Sequence, residues 1–193
     1  MLHADALASL AAALDDDPSP SPGADDRLAA VLAPIVLEPE PSLILTLRAA
    51  ALSRHAGEIS FPGGLHDPGE TLAETALREA NEEIGLDPLL PRVLGALAPV
   101  HTFVSGILVV PFVGTLDHAP AFTVNEAEID EVLVFGIERL ASAERTVNYD
   151  RPDGGTWRGF AYALEGYTVW GATGSMLHSL LDTIRRETTW TMA

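Results

Sequence analysis

The stretch from Gly64 to Leu86 constrains this chain most, because a helix is marked there at both ends. Thr71-Leu72-Ala73-Glu74 is a capping-box pattern, in which a threonine and a glutamate three residues on satisfy each other's backbone N–H groups. Leu72, Ala76, Leu77, Ala80 and Ile84 recur at helical spacing and form one apolar stripe. Gly85 stands where a left-handed terminating residue is wanted, and Pro88 follows soon after. The pattern predicts a helix from Thr71 to Ile84.

The same helix carries Glu79, Glu82 and Glu83 at i, i+3 and i+4, so the three carboxylates share one face within a single turn. Carboxylates this close repel one another, and without a partner some must take up protons. A hard divalent cation relieves that repulsion and prefers oxygen ligands. The acids also lie on the C-terminal half of the helix, where the dipole disfavours negative charge. The plainer alternative is a solvated acidic face. Glu74 and Arg78 are spaced as a favourable i, i+4 ion pair, and Arg78 is placed to orient neighbouring acids. Gly63, Gly64 and Gly69 let the preceding loop approach the helix closely.

Around this helix the chain reads as strands. Arg27 to Leu37, Leu43 to Arg48, Glu58 to Phe61, Arg92 to Ala98, Ile107 to Val113, Glu131 to Ile137 and Arg158 to Leu164 are rich in branched apolar residues. Residues 2–14 read as a short alanine-rich helix and Asp15 to Asp26 as a solvated loop. Ala172 to Arg186 reads as a C-terminal helix with Met176, Leu177, Leu180, Leu181 and Ile184 facing inward. Strands outnumber helices without alternating regularly with them, which predicts an α+β fold with a mixed sheet flanked by helices. At 193 residues the chain suits a single domain, with 1–26 as an N-terminal helix and loop and 27–193 as its main body.

Charge narrows the function. The net charge of −17 argues against nucleic acid as a partner, and it repels phosphates unless a cation or local arginines intervene. All 11 basic residues are arginine, which presents a planar, bidentate fork to anions. No apolar run reaches the length of a membrane span. The absence of cysteine fits a reducing cytoplasm, and Met1 to Leu14 carries Asp5 and no basic leader, unlike a signal peptide.

Gly64, Glu70, Arg78-Glu79, Glu82-Glu83 and Gly85-Leu86 stand at the intervals of the Nudix box, with only Ala80 small for its aliphatic slot. The chain therefore resembles Nudix hydrolases. The resemblance implies a Nudix α/β/α sandwich and hydrolysis of a nucleoside diphosphate linked to another group. It further implies Mg²⁺ or Mn²⁺ as cofactor, Glu79 and Glu83 as principal metal ligands, and Glu82 as a further ligand or the residue that orients the attacking water. Arg78 would complete the catalytic set.

Upstream, Ile44 to Ala49 and Gly57 to Gly64 resemble the segment that marks the coenzyme A diphosphatase branch of that family, with Arg48, Ala49, Gly57 and Phe61-Pro62-Gly63-Gly64 in place. Ser53 stands where the pattern has arginine, with Arg54 adjacent. Ser105-Gly106, Val110-Pro111 and Trp170-Gly171-Ala172-Thr173 match more loosely. This resemblance implies a small-molecule substrate, coenzyme A or an acyl derivative, bound by Arg48, Arg54, Phe61, Gly63 and Gly64. Arg48 is the expected reader of the 3′-phosphate by a charge-assisted pair; a surface ion pair at a strand end is the alternative. Two rival readings stand beside it: hydrolysis of ADP-ribose or a dinucleotide, and a Nudix-like module that senses a nucleotide without cutting it. His55, His66 and His101 read as structural or exposed. Glu126, Glu128, Asp130 and Glu131 read as a solvated loop from which one extra acid could reach the site.

Overall fold

The computed structural model describes residues 4–52, 55–102, 106–150 and 154–188. Strand β1 (Arg27–Glu38) is apolar along both faces and buried over most of its length. Its alternating side chains feed two separate cores, Val31, Ala33 and Ile35 on one side and Ala30, Leu32 and Val36 on the other. Such a strand belongs in the middle of a sheet covered on both faces. On one edge β1 runs parallel to β7 (Ile107–His118), from Arg27↔Ile107 to Glu38↔His118. On the other edge it meets β4 (Gly63–Leu65) and then β2 (Ser42–Arg48), both antiparallel. β2 pairs onward with β3 (Ile59–Ser60) and β8 (Ile129–Gly136), and β7 with β5 (Arg92–Ala96) and β6 (Val100–Thr102).

Two prolines sit inside these central strands, where a missing N–H would ordinarily break the ladder. Pro34 falls between the β4 register, which ends at Val31, and the β2 register, which begins at Ile35. Pro111 likewise falls between Val109, paired with β6, and Phe112, paired with β5. Each proline thus occupies a point where the neighbouring strand changes.

Helix α2 (Leu72–Ile84) covers one face of the sheet, and its Ala76, Ala80 and Ile84 enter the core formed with Ala30, Leu32 and Val110. Helices α1 (Ala4–Ala12) and α4 (Gly171–Glu187) contribute to the core on the opposite face. A second sheet of β9 (Glu144–Asp150), β10 (Thr156–Leu164) and β11 (Tyr167–Val169) lies beside α4, entered through α3 (Ile137–Ala143). No helix among the described residues is long and apolar enough to cross a membrane.

The α+β class and the mixed sheet between helices are as the sequence predicts. The five inward positions of the C-terminal helix are all buried. The differences are local. β7 runs on to His118 because Gly114 to Leu116 stay buried against β1. Ile137 opens α3 and does not end a strand. The expected strand from Glu58 to Phe61 shrinks to Ile59–Ser60, and pairing resumes at Gly63. β6, β9 and β11 and helix α3 escape sequence reading because they are short or polar; β9 alternates between half-buried and exposed positions and never reaches full burial.

The N-terminal helix is built into the molecule. Leu10 has no exposed surface, and Asp15 and Ala96 exchange backbone hydrogen bonds at 3.0 and 2.7 Å. Leu10→Ala is therefore expected to destabilise the protein by about 2–4 kcal/mol, whereas Leu89→Ala, at a side chain 91% exposed, should leave the thermal midpoint unchanged. Equal midpoints for the two variants would detach α1 from the core.

Candidate active site

The ends of α2 fix how its acids are presented. The Thr71 hydroxyl accepts from Glu74 N–H at 3.2 Å, and Glu74 Oε2 accepts from Thr71 N–H at 2.7 Å, closing the capping box. Gly85 terminates the helix in the left-handed conformation, φ 68°. With the apolar stripe on the sheet, Glu79 and Glu83 turn toward β4, the strand that carries Gly63 and Gly64.

Glu83 is only 2% exposed. Its Oε2 accepts from Gly63 N–H at 3.2 Å, and its Oε1 lies 3.4 Å from Arg48 Nη1. Burial pushes its carboxyl up to about 7, against the pull of the Gly63 N–H and Arg48; Glu79 and Glu128 add to the rise. Glu79 is also raised, first by burial, while Arg78 opposes the rise. Gly64 lies against the Glu79 carboxylate, and a Cβ there would overlap it. A Cβ at Gly63 would strike Ala30 O and Val31 of the neighbouring strand. Both glycines are needed for close approach, Gly64 to an acid and Gly63 to β1.

Arg78 ties the remaining acids together. Its Nε and Nη2 donate to the two oxygens of Glu70 at 3.0 and 2.9 Å, and its Nη1 donates to Glu79 at 2.8 Å and to Glu82 at 3.2 Å. Nη2 also reaches Leu65 O at 3.2 Å. This bidentate partner holds the Glu70 carboxyl down to about 2 and raises the Arg78 guanidinium further above its ordinary range. The expected Glu74–Arg78 pair does not form. Glu74 is consumed by the capping box, and Glu70, reaching up from the loop, offers two oxygens to the fork.

Glu82 is 54% exposed, and among the described residues its contact is with Arg78. Arg48, expected either at the substrate or in an ion pair, lies 3.4 Å from Glu83. Phe61 is buried, and Arg54 lies outside the described residues. His66 bonds Thr75 at 2.9 Å, His55 bonds Glu58 at 2.9 Å, and His101 bonds Asp26 at 2.8 Å. Of the four acids from Glu126 to Glu131, Glu128 alone is felt at Glu79 and Glu83. The loop bearing it docks on the end of α2, with Thr123 N–H on Ile84 O at 3.0 Å and Asn125 N–H on Glu83 O at 2.9 Å. Asp130 instead accepts from Ala50 N–H, and Glu131 from the Tyr167 hydroxyl. Nothing in the sequence separates Glu128 from its acidic neighbours.

A cavity of about 530 Å³ adjoins the acids through Arg48, Gly63 and Gly64, and is otherwise largely apolar, with Phe61, Trp157 and Trp170 in its walls. A second, of about 470 Å³, lies between Pro39–Pro41 and Phe135–Arg139, and none of the acids lines it. Among the described residues no three acidic or imidazole groups converge on one point as a finished metal cage would. The chemistry of the donors nevertheless suits Mg²⁺ or Mn²⁺. Burial leaves Glu79 and Glu83 short of positive charge, and Mg²⁺ is held by one or two carboxylates plus water and substrate phosphates.

Comparison with known proteins gives a consistent pattern. The NUDIX domain pattern matches residues 26–152. The chain is similar to an "Uncharacterized Nudix hydrolase NudL" of Photorhabdus laumondii, 36% identical over 163 residues, which span 83% of this chain and 87% of that protein. It is 38% identical over 165 residues to the protein of the same description from Pectobacterium atrosepticum, spanning 84% and 85% of the two chains. Among solved structures it is similar to the MutT protein of Methanosarcina mazei, with TM-score 0.55, 16% identity and coverage of 86% of this chain and 98% of that one. It is also similar to the NUDIX domain of Shewanella oneidensis NrtR complexed with ADP ribose, with TM-score 0.51, 16% identity and coverage of 62% and 79%. At such identities the structural likeness speaks to fold alone.

The buried acid generates a pH dependence. A carboxyl raised from an ordinary 4.5 to about 7 binds more protons folded than unfolded between those values, so its contribution to stability is whole below 4.5 and is lost as pH rises through 7. Without metal, Glu83→Gln should therefore gain stability over the parent as pH rises from 4.5 to 7.5, by on the order of 2–3 kcal/mol. Denaturant midpoints across that range measure it; a pH-independent difference would show that Glu83 titrates as an ordinary carboxylate.

Proposed function

The chain belongs to the Nudix family and is a Nudix hydrolase, and from that premise we propose that it cleaves the diphosphate of coenzyme A or an acyl-coenzyme A, giving 3′,5′-ADP and 4′-phosphopantetheine or its acyl form. The observation that carries this reading is the junction at Glu83. The segment that resembles the coenzyme A branch supplies Arg48 and the Gly63 N–H, and both end on this acid while lining the adjoining cavity. The features that mark the substrate class are thus in direct contact with the helix that marks the reaction.

The roles follow from position. Glu79 and Glu83 would hold Mg²⁺ or Mn²⁺, with Glu82 at the exposed margin as a further ligand or water-orienting group. A bound divalent cation supplies positive charge to the diphosphate oxygens and makes water more acidic. Arg78, fully occupied by Glu70, Glu79, Glu82 and the Leu65 carbonyl, orients the acids and has no donor to spare for substrate. Arg48, beside Glu83, would bind the diphosphate and not a distant 3′-phosphate. The retained acids favour catalysis over nucleotide sensing, since a pure sensor has no use for the repulsion they create.

Incubation with coenzyme A, ADP-ribose and NADH in Mg²⁺, followed by product analysis, tests the reading. Coenzyme A should be cut with the highest kcat/KM, and far better turnover of ADP-ribose or NADH would replace the substrate assignment. Glu83→Gln should lower kcat/KM by about 10²-fold or more while the protein stays folded. Arg48→Gln should lower kcat/KM for coenzyme A and for dephospho-coenzyme A by the same factor, roughly tenfold or more; a loss confined to coenzyme A would return Arg48 to the 3′-phosphate.

A further inference from the structure

Coenzyme A carries one phosphate more than the diphosphate that the acids and Arg48 address. On the reading above, that phosphate needs donors elsewhere, and Arg48 is the one arginine among the described residues that line the cavity. Among the described residues the other charged or titratable side chains lining it are Glu58, His55 and His101; His55 is bonded to Glu58, and His101 to Asp26.

The cavity does, however, receive the start of α4. Gly171, Ala172 and Thr173 all line it. The residue that caps this 17-residue helix is Trp170, which has no side chain able to accept from the first turn. Gly171 N–H reaches the Tyr149 hydroxyl only at 3.5 Å, and backbone bonding begins with Gly174 N–H on Trp170 O at 3.1 Å. An open helix start is electropositive and aims N–H groups outward.

Thr173 is an independent sign. It is 8% exposed, and its hydroxyl has no partner among the described residues. Several helical hydroxyls bond the carbonyl four residues back, as Thr183 does on Ser179, Thr75 on Thr71 and Ser175 on Gly171. Thr173 does not. No enclosed side-chain polar atom is left unsatisfied among the described residues, so this hydroxyl is open, and the space beside it is the cavity. Next to it Trp170 is 44% exposed, with Tyr149 at 6.2 Å and Trp157 stacked on Tyr149 at 4.5 Å. A ring braced in this way offers a face to a base.

We propose that the first turn of α4, through the Thr173 hydroxyl and the N–H groups of Ala172 and Thr173, binds the phosphate monoester on the nucleotide end of the substrate, with Trp170 beside it taking the base. The cavity then has two anion-binding ends. Arg48 and the acids act on the diphosphate at one, and the helix start reads the 3′-phosphate at the other.

Calorimetric titration of the metal-free, full-length protein with 3′,5′-ADP and with 5′-AMP tests this directly, because the two ligands differ only in that phosphate. The parent should bind 3′,5′-ADP roughly tenfold or more tighter than 5′-AMP. Thr173→Val keeps the shape and removes the hydroxyl, so it should erase most of that preference. Thr173→Ser restores the hydroxyl and should keep it, with both variants melting near the parent. Equal binding of the two nucleotides by the parent, or a preference that survives Thr173→Val, overturns the proposal. The substrate reading fails separately: if coenzyme A is not cut but the preference for 3′,5′-ADP depends on Thr173, the phosphate subsite stands and the assigned reaction does not.

Discussion

A carboxylate buried as deeply as Glu83 must be given partners, and much of the architecture around it supplies them. The two donors come from different parts of the chain, Gly63 N–H from β4 and Arg48 from the end of β2. β4 can offer that N–H only because it pairs with β1 at Ala29 to Val31, and Gly63 has no Cβ to strike β1. The backbone of Glu83 is engaged as well, by Asn125 of the loop that brings Glu128 close. The sheet edge, the helix and the following loop therefore meet at one residue. Two weak donors at 3.2 and 3.4 Å do not replace water around a full charge, which leaves the carboxyl raised and receptive to a cation.

Arg78 has a complementary task. Placed among Glu70, Glu79 and Glu82, it offsets the repulsion between Glu79 and Glu82 on the helix, with a planar fork whose remaining edge grips Glu70 in a bidentate pair. Glu70 anchors that fork from the loop before the helix, so the spacing between Glu70 and Arg78 has a mechanical meaning. The guanidinium is held still before any ligand arrives, and Glu79 is held with it. Preorganised charge of this kind needs no rearrangement at the moment of reaction.

Much of this was legible in the sequence, for reasons that differ by element. The capping box and Gly85 gave both ends of α2, because local hydrogen bonds decide them. The branched apolar run of β1 announced a strand, and the pairing on both its edges made it a central one. What stayed hidden depended on the tertiary arrangement. Glu74 matched Arg78 in spacing, but Glu70 won the contact from outside the helix. Nothing in the sequence paired Arg48 with Glu83, and only the register of β2 brings the two together. Glu128 resembled its acidic neighbours until the loop docked on α2. β9 was too polar to announce itself, although it carries the Tyr149 that braces Trp170.

The central claim is that Glu83 is buried short of positive charge and that a divalent cation makes up the deficit. Thermal melting at pH 8 with and without Mn²⁺, for the parent and for Glu83→Gln, measures this most directly, since a ligand that binds only the folded state raises its midpoint. The parent should melt clearly higher with Mn²⁺, and Glu83→Gln should shift little. An equal rise in both proteins, or no rise in the parent, would contradict the account.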